Sequence, residues 1–511
     1  MSKQIYQDKF YTHFDVKKYH KEYQQKVQNI KWVSKHGFYP FIHFQMNCSK
    51  YTNDLKGHKF LKEKVRDIYY AAHIDRFIYE YYGNRLNNQY NNYVKSKGIG
   101  KVSTAYRNCM PGKCNIDFAK EVFEYIVKCK SAYIFVGDFS KFFDKLDHKY
   151  LKEKIKCVIG QESLDPADYA IYKNITRFTY IEAADIEFEK DKLQRDMRQL
   201  DKYFQTQEFQ QFKKKYLHKN VKDYQIPQGS SISAVYANVY MIDFDKKIND
   251  YVTSHKGLYR RYCDDIIIVI PMTKKEVSNG RTNKISKFIY NVRDDIPNLE
   301  LNEDKTEHFF YGNGKIRKLK GQSNLVNYLG FTFDGKSVRI RDKSLFKFYC
   351  RAYRKIKKVN ETEDEKSFNA GKKAVYRSYT HLGANKNSKS YGNFLSYVYK
   401  ADDIFSQSKL LESNIRNQIK EHIVTYGGVS ANTNSSQTQY FNNVSPILAT
   451  AYYCDEPNIT PDHLITIVGW DDNYSKENFN AAHRPTKNGA WLVLNSYGTG
   501  FNGGYYYISY E

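Results

Sequence analysis

The stretch RRYCDDIIIVI, Arg260–Ile270, places two adjacent aspartates directly before a β-branched apolar run. Such a run is typical of a buried strand, so the pattern predicts a strand over Ile266–Ile270 with Asp264 and Asp265 at its start. Neighbouring residues on a strand point to opposite faces, but at a tight hairpin both carboxylates can line one cleft. The stretch therefore predicts a hairpin that carries two acidic groups into one site.

Another apolar run also ends in an aspartate. Ala132–Gly137, AYIFVG, predicts a strand that delivers Asp138 at its end. Nucleotidyl transfer uses two divalent ions about 3.5–4 Å apart, and Mg²⁺ prefers carboxylate oxygens together with substrate phosphates. Asp138, Asp264 and Asp265 would supply such ligands. Two Mg²⁺ ions, or Mn²⁺ in their place, are the expected cofactors.

Five motifs occur in a fixed order along the chain. They are DFSKFF (138–143), IPQGSSIS (226–233), YCDD (262–265), LNEDKT (301–306) and NYLGF (327–331). With these motifs the chain resembles reverse transcriptases over roughly residues 40–345. The resemblance implies an α+β right-hand polymerase with fingers, a ferredoxin-like palm and a helical thumb. It also implies an RNA-directed DNA polymerase, which is a nucleotidyltransferase.

The resemblance assigns catalytic roles to four residues. Asp138, Asp264 and Asp265 would be the catalytic, metal-binding carboxylates. Lys305 would protonate the pyrophosphate leaving group as a general acid. The alternative for Lys305 is an ordinary surface cation.

The resemblance also implies residues that bind the nucleotide. Phe143 matches the steric gate, where a bulky ring leaves no room for a ribose 2′-hydroxyl. Gln228 would contact the incoming nucleotide and the template. Arg66 is the best match to a triphosphate-binding residue of the fingers, and Arg107 is a weaker candidate. For both arginines a surface cation is the alternative.

The region after the palm indicates a subfamily. Helical segments at Lys373–Gly383 and Gly392–Tyr397 stand where other reverse transcriptases have RNase H-like, integrase or endonuclease domains. The chain resembles bacterial reverse transcriptases of the retron-like and abortive-infection (unknown-group) type. This implies cDNA synthesis on a small structured RNA, or protein-primed untemplated DNA synthesis, in antiphage defence. The implied partners are an RNA template, a DNA product and dNTPs.

The charge of the chain is unevenly distributed. Lys and Arg total 81 against 56 Asp and Glu, a net charge of +25, and residues 409–511 contribute −3 of it. Residues 1–408 therefore carry +28, which favours binding to nucleic acid. Lys347–Val359 predicts a basic helix that could contact phosphates, with Tyr349, Tyr353 and Ile356 towards the core. The alternative is a solvated surface helix.

The tail carries motifs of a different kind. They are DHLITIVGWDD (462–472) and GAWLVLNSYGTG (489–500). They resemble the C-terminal, β-rich half of papain-like cysteine peptidases. His463 matches the catalytic histidine and Asn495 the residue that orients its imidazole. The nucleophilic cysteine of that family belongs to the other half, and Cys454 stands where the family has a structural cysteine.

Two interpretations of the tail follow. In the favoured one it is an inactive module that binds a peptide, a protein partner or another copy of the chain. In the alternative, the protein is a cysteine peptidase regulated by a nucleic-acid-binding domain, with its thiol supplied from elsewhere. The peptidase interpretation predicts labelling by a thiol-directed peptidase probe that His463→Ala abolishes, whereas the inactive module predicts no labelling.

The remaining patterns concern organisation and location. Helices are expected over Asp67–Tyr82 and Asn115–Cys129, and a long exposed helical insertion over residues 185–220. Eight cysteines without a CxxC pair and the absence of a long apolar stretch predict a cytoplasmic protein that does not bind membranes. The expected domains are an N-terminal segment with fingers (1–130), a palm (131–345, with an insertion at 160–220), a thumb (346–408) and the peptidase-like half-domain (409–511).

Overall fold

The computed structural model of the chain describes residues 8–9, 11–53, 59–192, 201–321, 323–379, 393–415, 417–418, 429–433, 438–443, 450–456, 463–495 and 504–511. The chain divides into two compact units. The first comprises residues 1–113, 131–311 and 318–322, and the second comprises residues 114–130, 312–317 and 323–511. The four expected domains stay a prediction, and the compact units divide the chain differently.

The helices are α1 (His20–Gln28), α2 (Ile30–Ser34), α3 (His73–Ser96), α4 (Asn115–Lys128), α5 (His148–Ile159), α6 (Pro166–Thr176), α7 (Ala183–Lys192), α8 (Thr206–Tyr216), α9 (Ser231–Tyr240), α10 (Ile242–Ser254), α11 (Lys274–Ser278), α12 (Arg281–Asp294), α13 (Asp342–Asn360), α14 (Glu365–Tyr379) and α15 (Phe394–Ser406). Within the described ranges, no helix has the length and apolar character needed to cross a membrane.

The strands are β1 (Phe41–Asn53), β2 (Lys59–Tyr70), β3 (Ser131–Asp138), β4 (Thr179–Glu182), β5 (His218–Lys219), β6 (Leu258–Tyr262), β7 (Asp265–Pro271), β8 (Glu307–Gly312), β9 (Lys315–Lys320), β10 (Val326–Tyr328), β11 (Phe331–Phe333), β12 (Ser337–Ile340), β13 (Glu412–Ser413), β14 (Val429–Thr433), β15 (Ala451–Tyr452), β16 (His463–Asp471), β17 (Ala490–Asn495) and β18 (Tyr505–Ser509). The predicted mixture of helices and strands is confirmed.

The central sheet of the first unit contains both strands predicted from the acidic motifs. β7 pairs antiparallel with β6 on one side and with β3 on the other, and β8 follows β3. Every residue of Ile266–Ile270 is at most 1% exposed, so this β-branched run is buried on both faces of the sheet. The strands expected at Ala132–Gly137 and Ile266–Ile270 are confirmed as β3 and β7.

The helix expected over Asp67–Tyr82 is wrong in its first part. Asp67–Tyr70 ends β2, which pairs antiparallel with β1, and α3 begins only at His73. An isoleucine and two tyrosines at 68–70 favour a strand, and the main-chain N–H of Tyr69 donates to the carbonyl of Gln228 (2.8 Å). The helix expected at Asn115–Cys129 is confirmed as α4.

The expected long exposed helix over residues 185–220 is also wrong. Helices α7 and α8 are separate, residues 193–200 lie outside the described ranges, and β5 pairs with β4 beside β1. Phe209 and Phe212 of α8 are buried against Phe14, with ring centroids 4.8 and 6.4 Å away. Helix α8 therefore packs through an apolar face, whereas Phe188 of α7 is 63% exposed.

The basic helix expected at Lys347–Val359 is confirmed as part of α13, and Tyr349 is partly buried as expected, but the rest of the buried face is different. Leu345 and Phe348 are buried, whereas Tyr353 is 71% exposed and Ile356 is 38% exposed. The buried pair Leu345 and Phe348 has the i, i+3 spacing of one helix face. Leu345 precedes the segment Lys347–Val359, from which the buried face was predicted. The further helices expected downstream correspond to α14 and α15, with residues 380–392 outside the described ranges.

The tail forms one sheet with the strand order β14-β16-β17-β18-β15. β16 pairs antiparallel with β14 and β17, β17 pairs antiparallel with β18, and β15 pairs parallel with β18. The β-rich character predicted for the tail is therefore confirmed for its described residues. A small core holds the sheet, built from Tyr440, Phe441, Tyr452, Ile465, Ile467, Val493 and Tyr506.

Candidate active site

Two neighbouring strands carry the predicted carboxylates to the same end of the central sheet. Asp138, the last residue of β3, pairs with Asp265, the first residue of β7. The residue before Asp138 is a glycine, and three side chains fill the space beside it. A Cβ at Gly137 would lie 2.9 Å from Phe135, 3.2 Å from Ile266 of β7 and 3.3 Å from Leu301. The glycine therefore leaves room for these core side chains directly beneath the two acidic strand ends.

The turn between β6 and β7 brings in a third carboxylate. Cys263 adopts the left-handed conformation, with φ +58°, and the chain reverses so that Asp264 lies in the turn and Asp265 begins β7. The carbonyl oxygen of Asp264 accepts a hydrogen bond from the N–H of Phe139 (3.2 Å). The turn is thus tied to the residue that follows Asp138. The structure brings the three predicted carboxylate residues to one place.

The side chains of Asp138 and Asp264 interact directly. Burial raises the pKa of Asp264, and the charge of Asp138 and a hydrogen bond between the two carboxyl groups raise it further. Lys305 lies against Asp138, and its Nζ donates to Oδ2 of that carboxylate. A nearby cation would favour the ionised form of Asp264, whose carboxyl group lies beside that of Asp138.

The donor set fits a divalent cation in part. Among the side chains that the structure describes, no three His, Cys, Asp or Glu residues are arranged to hold a metal ion. Asp138 and Asp264 nevertheless offer hard oxygen ligands side by side, and Mg²⁺ is usually bound by one or two carboxylates together with water and substrate phosphates. Asp265, as the register partner of Asp138, is the third candidate ligand.

A buried ion pair supports the turn from the protein interior. Arg261, 0% exposed, donates from Nε and Nη2 to the carboxylate of Asp245 at 2.7 to 3.1 Å. Its Nη1 donates to the carbonyl oxygen of Cys263 (3.0 Å) and to Oδ1 of Asn238 (3.1 Å). The guanidinium therefore fixes the main chain of the residue directly before Asp264.

Arg261 and Asp245 were not identified from the sequence. The local signal is a pair of arginines in the strand LYRRY, next to the acidic turn. A buried charge needs a hydrogen-bonded partner of opposite charge, but this partner lies on α10, 16 residues earlier. Because only the fold brings the two residues together, the local pattern could not reveal the support for the turn.

The residues expected to contact the nucleotide lie on neighbouring loops. Phe143 belongs to a short 3₁₀ helix, Phe142–Lys145, and its carbonyl oxygen accepts from the N–H of Ile226 (3.0 Å). Gln228 lies two residues after Ile226, and its carbonyl oxygen accepts a hydrogen bond from the main-chain N–H of Tyr69 in β2. The side chains of Phe143 and Gln228 are half-buried. Hydrogen bonds thus tie the steric-gate candidate to the loop of the glutamine candidate.

The two arginine candidates differ in their surroundings. Arg66 is an exposed residue of β2, opposite Met46 of β1. Arg107 donates to the carbonyls of Gly100 (3.3 Å) and Ser103 (3.0 Å) and hydrogen-bonds Asn91. Arg107 therefore stabilises its own loop. These hydrogen bonds give the arginine a structural role that does not require a bound nucleotide.

The peptidase-like residues of the tail lie on adjacent strands. His463 begins β16, and Asn495 ends β17 in register with Ile465, two residues after His463. Cys454 follows β15, and β17 and β18 lie between β15 and β16. Three strand spacings of about 4.8 Å separate them. The thiol of Cys454 contacts the carbonyl of Glu456 (3.8 Å).

A comparison with protein families identifies the region that carries the acidic motifs. The family described as "Reverse transcriptase (RNA-dependent DNA polymerase)" matches residues 81–333. The match includes every catalytic and nucleotide-binding candidate except Arg66. The search of curated proteins gave no match.

Solved structures resemble parts of the chain. Apo telomerase from Candida tropicalis is 13% identical, with a TM-score of 0.38, over 65% of this chain and 51% of the telomerase. The cysteine protease and lectin-like domains of Cwp84, a surface-layer-associated protein of Clostridium difficile, are 39% identical with a TM-score of 0.18. That likeness covers 20% of this chain and 21% of the Cwp84 chain. This chain therefore spans only about a fifth of the Cwp84 structure and half of the telomerase.

The family match covers the ordered acidic motifs, and the structure gathers their carboxylates at one end of a buried sheet. The chain contains a reverse transcriptase domain at residues 81–333.

Proposed function

We propose that the protein is an RNA-directed DNA polymerase that adds deoxynucleotides to a 3′ end. The observation that carries the proposal is the contact of Asp138 with both Asp264 and Lys305 inside the matched domain. Asp138, Asp264 and Asp265 would hold two Mg²⁺ ions, whose chemistry activates the attacking 3′-hydroxyl and neutralises the triphosphate. The buried Arg261 would keep the turn in position for this.

In our proposal, Lys305 is the proton donor of this reaction. Its ammonium touches Asp138 and is half-exposed, so it can reach a leaving group that enters from solvent. In our proposal it protonates the pyrophosphate as the phosphorus–oxygen bond breaks. Phe143 excludes nucleotides with a 2′-hydroxyl, and Gln228 contacts the incoming base pair. Arg66 binds the triphosphate from β2.

The expected partners follow from charge as well as from the domain. An RNA template, its DNA product and dNTPs are all polyanions, and residues 1–408 carry the basic excess. The exposed residues Arg351, Arg354 and Lys358 of α13 would contact the phosphates of the duplex. Residues 409–511 would act as an inactive module for self-assembly or for binding a protein partner.

The finer assignment rests on the resemblance of the helical region to retron-like and abortive-infection enzymes. We propose a cytoplasmic role in antiphage defence, through cDNA synthesis on a structured RNA. Protein-primed untemplated synthesis by the same carboxylates is the alternative. Sequencing the nucleic acid that copurifies with the protein separates them, because a defined RNA and its cDNA support templating, whereas random DNA attached to protein supports the other route.

Incorporation of dNTPs on a primed RNA template tests the proposal. The Asp264→Ala/Asp265→Ala variant should lose incorporation by about 10³-fold or more, because it removes charge stabilisation at the reacting phosphate. The matched control is Asp294→Ala/Asp295→Ala, a second adjacent aspartate pair, which is exposed and ion-paired to Arg293 and Lys247. The control should retain wild-type incorporation. Continued synthesis by the first variant, or equal loss in both, would contradict the assignment.

A further inference from the structure

Tyr106 is held in a backbone conformation that tyrosine rarely adopts. Its φ is +57°, in the left-handed region, where a bulky residue is strained and where such strain is often associated with function. The residue is 50% exposed, so packing of the ring alone does not account for the conformation. The surroundings must therefore impose it.

Contacts with helix α3 supply the constraint. Nδ2 of Asn87 donates to the carbonyl of Tyr106 (2.6 Å). The next residue, Arg107, donates to Ser103 (3.0 Å), and its guanidinium lies 5.1 Å from the ring centroid of Tyr90. Asn87 and Tyr90 both belong to α3. These contacts with the helix and with Arg107 thus hold the loop that carries Tyr106.

The side chain of Tyr106 lies at the acidic turn. Its hydroxyl hydrogen-bonds the thiol of Cys263, and it interacts electrostatically with Tyr262 and Asp264. Cys263 is only 6% exposed. Tyr106 therefore supplies exposed aromatic surface beside the turn that carries two of the candidate metal ligands.

We propose that the ring of Tyr106 packs on the base of the 3′-terminal nucleotide of the strand being extended. The inference rests on the proposed function, because it is that reaction which brings a 3′-hydroxyl to Asp138 and Asp264. The base attached to this hydroxyl lies within one nucleotide of the turn. An aromatic face stacks on any of the four bases, so the contact positions the end of every sequence. Tyr106 is thus a substrate-binding residue that the acidic motifs do not reveal.

Binding of a duplex with a recessed 3′ end tests the inference without dNTPs. Fluorescence anisotropy is measured for the wild type, Tyr106→Asn, Tyr106→Phe and the control Tyr169→Ala, which changes a tyrosine that is 46% exposed on α6. Asparagine tolerates the left-handed conformation, so the urea midpoint of Tyr106→Asn should match the wild type. Its affinity should fall about tenfold, the usual effect of losing one base–aromatic stack. Tyr106→Phe and the control should stay within about twofold.

A second duplex, with an abasic 3′-terminal nucleotide, makes the test specific. Loss of the terminal base should weaken the wild type about tenfold and Tyr106→Asn hardly at all, since the contact is already missing there. A purely structural role predicts equal losses in both proteins, and that result would overturn the inference. So would wild-type affinity in Tyr106→Asn, or a wild type that does not bind the recessed end. Failure of the proposed function looks different: the wild type then binds with this pattern but incorporates no dNTP.

Discussion

The acidic end of the central sheet and the tail both contain residues that resemble part of an enzyme's catalytic set, but they differ in what surrounds those residues. Asp264 follows a residue whose carbonyl is fixed by the buried Arg261, and its carboxyl group meets that of Asp138. In the tail, His463 and Asn495 lie on adjacent strands, while Cys454 follows a strand at one edge of the sheet. Both regions therefore match an enzyme family in residue type. They differ in whether the whole set of residues is brought together and in whether buried contacts hold it in place.

Among the residues that only support the candidate sites, the largest effect is expected at the buried support of the acidic turn. Arg261→Lys keeps the charge but cannot reach Asp245, Asn238 and the carbonyl of Cys263 together. Loss of a buried hydrogen bond to a charged group costs about 1.5–3 kcal/mol, and a misplaced catalytic group can cost about 10²-fold in rate. We expect a lower free energy of unfolding and, per folded molecule, a kcat for dNTP incorporation reduced about 10²-fold.

Urea unfolding and single-turnover kinetics on the full chain measure the two effects of Arg261→Lys. The control is Lys247→Ala, which removes an exposed ion pair with Asp295 (2.8 Å) and should cost at most about 1 kcal/mol. If Arg261→Lys lowers stability while kcat per folded molecule is unchanged, the turn does not depend on its buried support. Buried support would then not distinguish the acidic turn from the tail.

A smaller effect is expected at the loop of Gln228. Gly229 has φ +127°, and a Cβ there would lie 2.3 Å from the carbonyl oxygen of Tyr69. Gly229→Ala must therefore displace the loop from β2, which should cost about 3 kcal/mol of stability. It should also raise the KM for dNTPs, because Gln228 moves with it.

Gly280→Ala is the matched control for Gly229→Ala. Gly280 also has a left-handed φ, +73°, but a Cβ there meets nothing within 4 Å. It should lose about 1 kcal/mol through backbone strain alone and keep its KM for dNTPs. Equal KM values in the two variants would show that the position of Gln228 does not matter for the nucleotide.

Short-range patterns predicted the elements that the acidic site requires. The apolar runs of β3 and β7, each joined to an aspartate, predicted strands because burial on both faces needs continuous apolar residues. The resemblance placed Lys305 in the catalytic set, but its contact with Asp138 was not predicted, because 167 residues separate the two. Arg261 and Asp245 could not be found because their pairing depends on α10 packing beside β6.

The errors have the same physical origin. Asp67–Tyr70 has apolar spacing that suits a helix, but pairing with β1 and the hydrogen bond from Tyr69 to Gln228 make it a strand. In α13 the buried face is set by Leu345 and Phe348, so Tyr353 lies outside. Local periodicity indicates that a face exists, and tertiary contacts decide which residues occupy it.

The pH dependence of stability tests whether the buried imidazole of His308 contributes to the folding of the first unit. His308 of β8 is 7% exposed, and its ring hydrogen-bonds the hydroxyl of Tyr133 (3.1 Å). Burial, with a smaller effect of the Lys320 charge, lowers the pKa of His308 to about 4. Below about pH 6.5 the unfolded chain therefore binds a proton that the folded state excludes, so stability falls as the pH drops from 6.5 to 4. The loss from this group should approach about 3 kcal/mol.

His308→Gln should remove that part of the pH dependence. Hydrogen exchange of the amides in β3 and β7 reports the stability of the first unit in the full chain. The difference between wild type and variant should grow from pH 6.5 to pH 4 at these amides and stay constant at those of β17. A difference that does not change with pH would contradict the proposed cause.

The smallest effect is expected in the tail, where we predict no change. His463→Ala and Asn495→Ala should each leave dNTP incorporation within about twofold of the wild type. Neither the wild type nor these variants should be labelled by a thiol-directed peptidase probe, since a histidine and an asparagine transfer no acyl group without a thiolate. Cys454→Ser is the control, because Cys454 follows a strand about 14 Å across the sheet from the strand of His463. Labelling of the wild type that His463→Ala abolishes would show a thiol supplied from outside the tail sheet, and both regions would then be complete catalytic sites.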